Sequence, residues 1–333
     1  MKKKIIAPIL IAAAGITLLF GCGKNQEGPL TPVTLSEVAH SIFYAPMYAA
    51  IENGYFEEEG IDLTLVNSGG ADKVMTALIS GEADIGFMGP ESTVYTFNQG
   101  ASDYAVNFAQ LTQRAGNFLV SRNAEEAFEW EDLKGKTVLG GRAGGMPQMI
   151  FEYILKTHHI DTKKDLTIIQ NIDFGVTAEA FAGGTGDYTV EFEPFASSLE
   201  LSGKGHVIAS LGVDSGYVPY TCFSALKSYI NENTETIQKF TNAIQKGLDY
   251  VNSHSPEEIA KVIKPQFKET DDTTLKTIIE RYYNQDTWKK DTVMTKDSFE
   301  LLQNILENAG ELSARVEYED LVTTSFAEAA CKS

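Results

Sequence analysis

The feature that most narrows the fold is a repetition. Ala71 to Pro90 reads ADKVMTALISGEADIGFMGP, and Phe174 to Pro194 reads FGVTAEAFAGGTGDYTVEFEP. Each segment runs as an amphipathic helix, a Gly-x-Gly/Ala-Asp turn (Gly81 to Asp84, Gly184 to Asp187), a short strand and a proline. The first copy follows a strand-turn-helix over 33–53. The second follows a strand-loop-helix over 136–157. Strands that alternate with helices of this length predict βαβ units and a mainly parallel sheet. Two halves of like order predict two similar α/β lobes.

The second half opens on Lys136-Thr-Val-Leu-Gly-Gly-Arg-Ala-Gly-Gly-Met-Pro147. A β-branched strand runs into a glycine-rich turn, and Met146-Pro147 starts a helix to about Thr157. Proline at a helix start loses no hydrogen bond, because that N–H has no intrahelical partner. Free N–H groups and the positive end of the dipole suit an anionic or acceptor-rich ligand there. The four glycines let backbone approach it closely, and Arg142 adds a fork of donors. No Gly-Lys-Ser/Thr follows and the pattern is not G-x-G-x-x-G, so nucleotide binding is not indicated. A turn that needs glycine for geometry alone is the competing reading.

Residues 1–21 read as a targeting segment. Lys2 to Lys4 form a charged start, and Ile5 to Phe20 form an apolar run too short for a typical spanning helix. Leu19-Phe20-Gly21-Cys22 resembles the bacterial lipobox, which implies cleavage and a lipid on Cys22. Losing three lysines takes the formal charge from −19 to −22. Such acidity disfavours nucleic acid as a partner. The alternative is an uncleaved N-terminal anchor helix. Residues 22–32 then read as a Gly/Pro-rich tether. Cys222 and Cys331 are far apart, and no Cys/His cluster suggests a metal site or a cofactor.

Asn107 to Asn123 and Tyr217 to Ala225 are candidate crossings between lobes. Tyr55 to Gly60 reads as a turn. After residue 225 only helices are expected, over about 229–253, 255–264, 271–284, 295–309 and 318–330. Ser255-Pro-Glu-Glu258 is a capping box. Asp84 and Asp187 read as structural, since aspartate in such turns bonds nearby backbone.

The order Tyr55-Phe-x-x-x-Gly60-Ile, Gly81-Glu-Ala-Asp84-Ile-Gly86, Leu133-Lys-Gly-Lys136-Thr-Val-Leu, Glu193-Pro194 and Tyr282-Tyr283-Asn-Gln285 resembles ABC-importer solute-binding proteins. Among these it is similar to the aliphatic-sulfonate, nitrate and thiamine-precursor group, the SsuA/THI5-like (NMT1) family. The resemblance spans about 33–325. It implies a type II periplasmic-binding fold, two α/β lobes joined by two crossings with a ligand cleft between them. Lobe 1 is expected at 33–120 plus 222–333, and lobe 2 at 121–221.

Ligands of open α/β sheets sit beyond the carboxyl ends of strands. That rule nominates Ser41, Phe43 and Tyr44, then Ser68 and Gly69, then Gly89, Glu91 and Ser92 in lobe 1. In lobe 2 it nominates Gly141, Arg142, Gly144, Gly145 and Met146, then Asp173, then Glu191 and Glu193. Phe43 and Tyr44 suit stacking on a planar ligand or core packing alike. Glu91 is either a ligand contact or a solvated helix-start acid. Glu191 and Glu193 share one strand face. One of them is expected to meet a donor-rich ligand, and the other to be solvated or paired with Arg142. Tyr282 and Tyr283 are expected in the core. Arg142 and the glycine loop favour a sulfonate; the three glutamates favour an aromatic N-heterocycle such as a thiamine-related pyrimidine.

The resemblance implies a monomeric, non-enzymatic lipoprotein. It would face the extracytoplasmic side of the cell membrane, capture a small molecule by lobe closure and pass it to an ABC permease. A pyrimidine-forming enzyme of the same family, or a ligand sensor, are the alternatives.

Overall fold

The computed structural model describes residues 28–172 and 176–332. Cys22 and Asp173, both nominated above, lie outside the described residues, as does the targeting segment.

Among the described residues, ten strands form two five-stranded sheets with one topology. The first comprises β1 (Thr31–Glu37), β2 (Ile61–Asn67), β3 (Ile85–Met88), β4 (Ala105–Thr112) and β10 (Thr221–Leu226), in the order β2-β1-β3-β10-β4. The second comprises β5 (Asn117–Ser121), β6 (Thr137–Leu139), β7 (Thr167–Ile169), β8 (Tyr188–Phe192) and β9 (His206–Ser210), in the order β7-β6-β8-β5-β9. In each, three parallel strands meet one antiparallel strand that follows a crossing: β10 in the first sheet, β5 in the second. Strands β3, β4, β5 and β8 are buried along their whole length. Burial on both faces suits the apolar run of β3, whereas β4, β5 and β8 also bury polar side chains, among them Asn107, Gln110, Asn117 and Glu191.

The repeated aspartates do the same job twice. Asp84 donates its N–H to the Thr34 carbonyl (3.0 Å), and its Oδ2 accepts the Thr34 N–H (2.8 Å). Asp187 donates to the Thr137 carbonyl (2.8 Å), and its Oδ2 accepts the Thr137 N–H (2.9 Å). Each side chain thus completes a strand junction where the β-ladder has not yet begun.

Between the sheets the chain crosses at 113–116 and again at 211–220. Strand β5 belongs whole to the second sheet, so the lobe boundary expected at 120/121 would cut through it. A third stretch lies beside the crossings. The Gln113 N–H donates to the Thr287 carbonyl (2.8 Å), Gln285 Nε2 to the Ala115 carbonyl (3.1 Å), and Thr112 bridges Trp288.

Three expected elements differ. Tyr55–Glu58 is a short helix rather than a turn, started after Gly54 in the left-handed region (φ 73). The helix over 229–253 is two, Lys227–Glu232 and Thr234–Ser253, because Asn233 leaves helical geometry (φ −125, ψ 38). The last helix is also two, Tyr318–Leu321 and Ser325–Ala330, since Val322 is extended. The capping box at Ser255 forms as expected.

If the paired turns are equivalent, Asp84→Ala and Asp187→Ala each lower the unfolding free energy by about 1–2 kcal/mol, the cost of one lost side-chain bond to backbone. Urea unfolding checks this, and an unchanged midpoint for either variant contradicts it.

Candidate functional site

The carboxyl ends of β1 and β3 face the second sheet across the crossings. After β1 the chain turns through Ser41, whose Oγ accepts the Phe43 N–H (3.3 Å) and starts the one-turn helix Ile42–Tyr44. The turn is held from behind. The Tyr48 hydroxyl donates to Glu37 (2.6 Å) and accepts the Ser41 N–H (3.3 Å). These bonds aim Phe43 into the junction between the lobes. Its ring centroid lies 5.2 Å from Tyr44, 5.7 Å from Phe192, 5.6 Å from Tyr220 and 5.2 Å from Tyr282. Its carbonyl accepts the Trp288 indole N–H (2.8 Å). Gly116 of the first crossing packs against the same rings. A Cβ there would stand 2.7 Å from both Phe43 and Phe192, so only glycine fits.

Glu91 opens the helix Glu91–Asn98 just beyond β3. It is 5 % exposed, and no described residue bonds its Oε2. Its carboxylate folds back over Gly89, where a Cβ would stand 2.0 Å from Oε2. Burial pushes its pKa up to about 7, opposed by a bond to its own backbone N–H. Its charge in turn raises the pKa of Tyr44 and Tyr220, after their own burial. Both of these rings touch Phe43.

Glu193 does not pair with Arg142. Its oxygens accept the Ser197 N–H (2.9 Å) and Oγ–H (3.0 Å) and an ion pair from Arg281, which also holds Glu200. Arg281 lies on Asp272–Asn284, a helix far along the chain, and its fork reaches two carboxylates that sequence spacing could not connect to it. Beside it, the Tyr282 hydroxyl donates to the Gly116 carbonyl (3.1 Å) and accepts the Glu193 N–H (3.4 Å). Tyr282 is fully buried as expected; Tyr283 is 41 % exposed. Glu191 is buried within the second lobe. Its oxygens accept Thr189 Oγ1–H (2.6 Å) and Thr177 Oγ1–H (3.1 Å), and burial pushes its pKa up to about 7.

The nominated residues therefore scatter: a junction group, a rim group, Glu191 inside the second lobe and Met146 in the core. Ser41, Phe43, Tyr44, Gly89, Glu91, Ser92 and Glu193 gather at the buried junction. Arg142 is 62 % exposed and meets Asp72 at 4.0 Å, across the rim near Ser68 and Gly69. In the glycine loop, Gly141 (φ 87) and Gly144 (φ 78) take left-handed geometry, and Gly145 caps the helix Met146–Thr157. Met146 is core. Gln148 folds back so that its Oε1 accepts the Gly144 N–H (3.0 Å), which engages one of the loop's free donors internally. Asn117, Tyr220 and Arg281 were not nominated. The first two end the crossings, so a rule that crossings floor the cleft would have found them.

A family model described as NMT1/THI5 like matches residues 42–259. The chain belongs to the NMT1/THI5-like family. One relative, "Putative binding protein YtlA" of Bacillus subtilis (strain 168), is 49 % identical over 94 % of each chain. Others are more distant. The 4-amino-5-hydroxymethyl-2-methylpyrimidine phosphate synthase of Aspergillus parasiticus is 23 % identical over 63 % of each chain. The formylaminopyrimidine-binding protein of Halalkalibacterium halodurans is 24 % identical over 85 % of this chain and 88 % of its own. Among solved structures, the alkanesulfonate-binding protein SsuA from Xanthomonas axonopodis pv. citri bound to MOPS superposes with a TM-score of 0.71. It is 15 % identical, over 90 % of this chain and 100 % of that one. The fold of this NMT1/THI5-like chain is thus that of the periplasmic binding proteins.

Glu91 predicts a pH signature. Its ordinary pKa is 4.5 and its folded value about 7. Between these values the folded chain keeps a proton that the unfolded chain releases, so stability falls as pH rises. The full difference is about 3 kcal/mol. Glu91→Gln should therefore gain on the wild type by up to about 3 kcal/mol from pH 4.5 to pH 8 in urea unfolding, Glu191 acting equally in both. A pH-independent difference contradicts this.

Proposed function

We propose that this chain is the extracytoplasmic solute-binding component of an ABC importer. Lipid on Cys22 tethers it to the membrane, and residues 22–32 give it reach. Lobe 1 (33 to the first crossing, plus 222–333) and lobe 2 (from the first crossing to 221) close around one small molecule, and the closed form presents it to the permease. Hinge closure of this kind couples ligand capture to a changed outer surface. The chain acts as a monomer and does no chemistry on its cargo.

The observation that carries the reading is the junction itself. Carboxyl ends of strands from both sheets converge there on a cluster of rings, with a buried acid beside it. Phe43 and Tyr44 supply stacking faces, and Ser41, Glu91 and Ser92 supply polar contacts. The relative named as a binding protein and the likeness in fold to SsuA support the role. Two cargo chemistries have support. The formylaminopyrimidine-binding relative favours an aromatic N-heterocycle, and the SsuA likeness favours a sulfonate. The distant synthase relative supports a second reading, a pyrimidine-forming enzyme.

Native mass spectrometry of protein purified from its host, without residues 1–22, tests the role. A stoichiometric small molecule that is released unchanged on denaturation is expected. Conversion of a pyrimidine precursor or of pyridoxal phosphate into product contradicts it. Cys22→Ser should move the protein from the membrane to the soluble fraction, and continued membrane association contradicts the lipid tether.

A further inference from the structure

The His40 ring, just beyond β1, stands between two acceptors. Its Nδ1 lies 2.9 Å from Glu37 Oε1, and its Nε2 lies 3.0 Å from the Gln266 carbonyl oxygen. A carbonyl only accepts, so Nε2 carries a proton there. An ionised carboxylate also only accepts, so Nδ1 carries a second. With that second proton on Glu37 instead, the pair still holds the same number. Neutral histidine has one N–H. Beside ionised Glu37 it leaves one of the two contacts as facing lone pairs. The His40 side chain is 33 % exposed and so exchanges protons with solvent, whereas Glu37 is 1 % exposed.

Three elements meet at the ring. Strand β1 brings Glu37. The helix Ala45–Glu52 brings Tyr48, whose ring centroid lies 4.9 Å away and whose hydroxyl is 3.1 Å from Nδ1. The one-turn helix Lys264–Gln266 brings the Gln266 carbonyl and, next in the chain, the Phe267 ring, stacked at 4.9 Å. Lys264 turns away, to Asp272 (2.9 Å) and the Thr270 carbonyl (2.5 Å), and Glu52 accepts the Gln266 Nε2–H (2.5 Å). Among the described residues, Glu37 is the charge that acts on His40. Its hydrogen bond, opposed by burial and helped by the Gln266 carbonyl, holds the ring above its ordinary pKa of 6.5. Burial and the Glu37 charge keep the Tyr48 hydroxyl protonated.

The Tyr48 hydroxyl links this ring to the turn that carries Phe43. It donates to Glu37 Oε2 (2.6 Å) and accepts the N–H of Ser41, the residue that starts the turn (3.3 Å). When Nδ1 loses its proton, its lone pair competes with Glu37 for the Tyr48 proton. The hydroxyl then rotates out of the geometry that holds Ser41. When Nε2 loses its proton instead, the tie to Gln266 is lost. From this arrangement we infer that His40 is a proton-controlled strap: doubly protonated it ties the Ser41–Tyr44 turn to residues 264–267, and singly protonated it releases that turn. The switch stands on the fold alone. Only its exposure to the pH of the surroundings rests on the placement proposed above.

Proton and nitrogen NMR across pH tests it without a ligand, on the chain lacking residues 1–22, which keeps every described residue. Ring-nitrogen shifts show whether His40 carries one proton or two, and His40→Gln assigns its signals among the five histidines. The Trp288 indole N–H, bonded to the Phe43 carbonyl, reports the turn. His40 should titrate with a midpoint above 6.5, and part of the Trp288 shift should share that midpoint. Both His40→Gln and Tyr48→Phe should lose that part. Glu91 and Glu191, which titrate near pH 7, remain in both variants, so only the part lost counts. The folded pKa of His40 exceeds the unfolded one. The wild type's advantage over His40→Gln in urea midpoint is therefore present below pH 6.5 and lost as pH rises through the folded midpoint. If His40→Gln folds poorly, the shared midpoint in the wild type and its loss in Tyr48→Phe still decide. A His40 midpoint at or below 6.5 overturns the strap. A Trp288 signal that ignores His40, or that follows it equally in Tyr48→Phe, overturns the release of the turn.

Discussion

Phe43 is the side chain on which the junction depends. Its ring touches Tyr44 of its own lobe, Phe192 of the other lobe, Tyr220 of the second crossing and Tyr282 of the late helix. Its carbonyl anchors Trp288, and Gly116 of the first crossing has no room for a side chain beside it. Aromatic pairs at these separations add to simple area burial. One residue therefore registers both sheets, both crossings and the third strut at once. Arg281 and Tyr282 then extend the same helix onto Glu193, Glu200 and Gly116, so the C-terminal segment takes part in how the lobes meet.

Against this apolar packing, Glu91 is an anomaly with a physical meaning. A carboxylate taken out of water shifts toward its neutral form unless something compensates. Among the described residues the carboxylate finds no partner for Oε2 and is bonded by its own backbone N–H, and burial raises its pKa to about 7. Glu191, equally shifted, has two threonine hydroxyls and lies within one lobe. The contrast separates an acid that the fold has satisfied from one that it has not. Groups that sequence reasoning would call misplaced are expected at functional sites.

Much of the architecture was legible because it is encoded locally. The twin turns ending in Asp84 and Asp187 announced two like lobes, and each aspartate completes the same strand junction. Pro147, Ser255 and Gly145 mark helix starts whose causes lie within a few residues. The site was legible only as far as strand ends can be counted. Phe43, Tyr44 and Glu91 emerged that way. Asn117, Tyr220 and Arg281 did not, because their partners lie far away in sequence, from 81 to 103 residues for those named above. The expected pairing of Glu193 failed for the same reason. Arg142 and Arg281 are equivalent as letters, and only the path of the late helix decides which reaches the carboxylate. The split at Asn233 and the helix at Tyr55–Glu58 are backbone choices that weak local signals left open.

The measurement closest to the central claim is hydrogen exchange across the whole chain, with and without the small molecule recovered from the protein. Capture between the lobes predicts slowed exchange in both lobes at once: around 41–45 and 91–95 in the first, around 117–121 and 190–193 in the second, and along the crossings. Protection confined to one lobe, or to a surface remote from Phe43 and Glu91, contradicts the account.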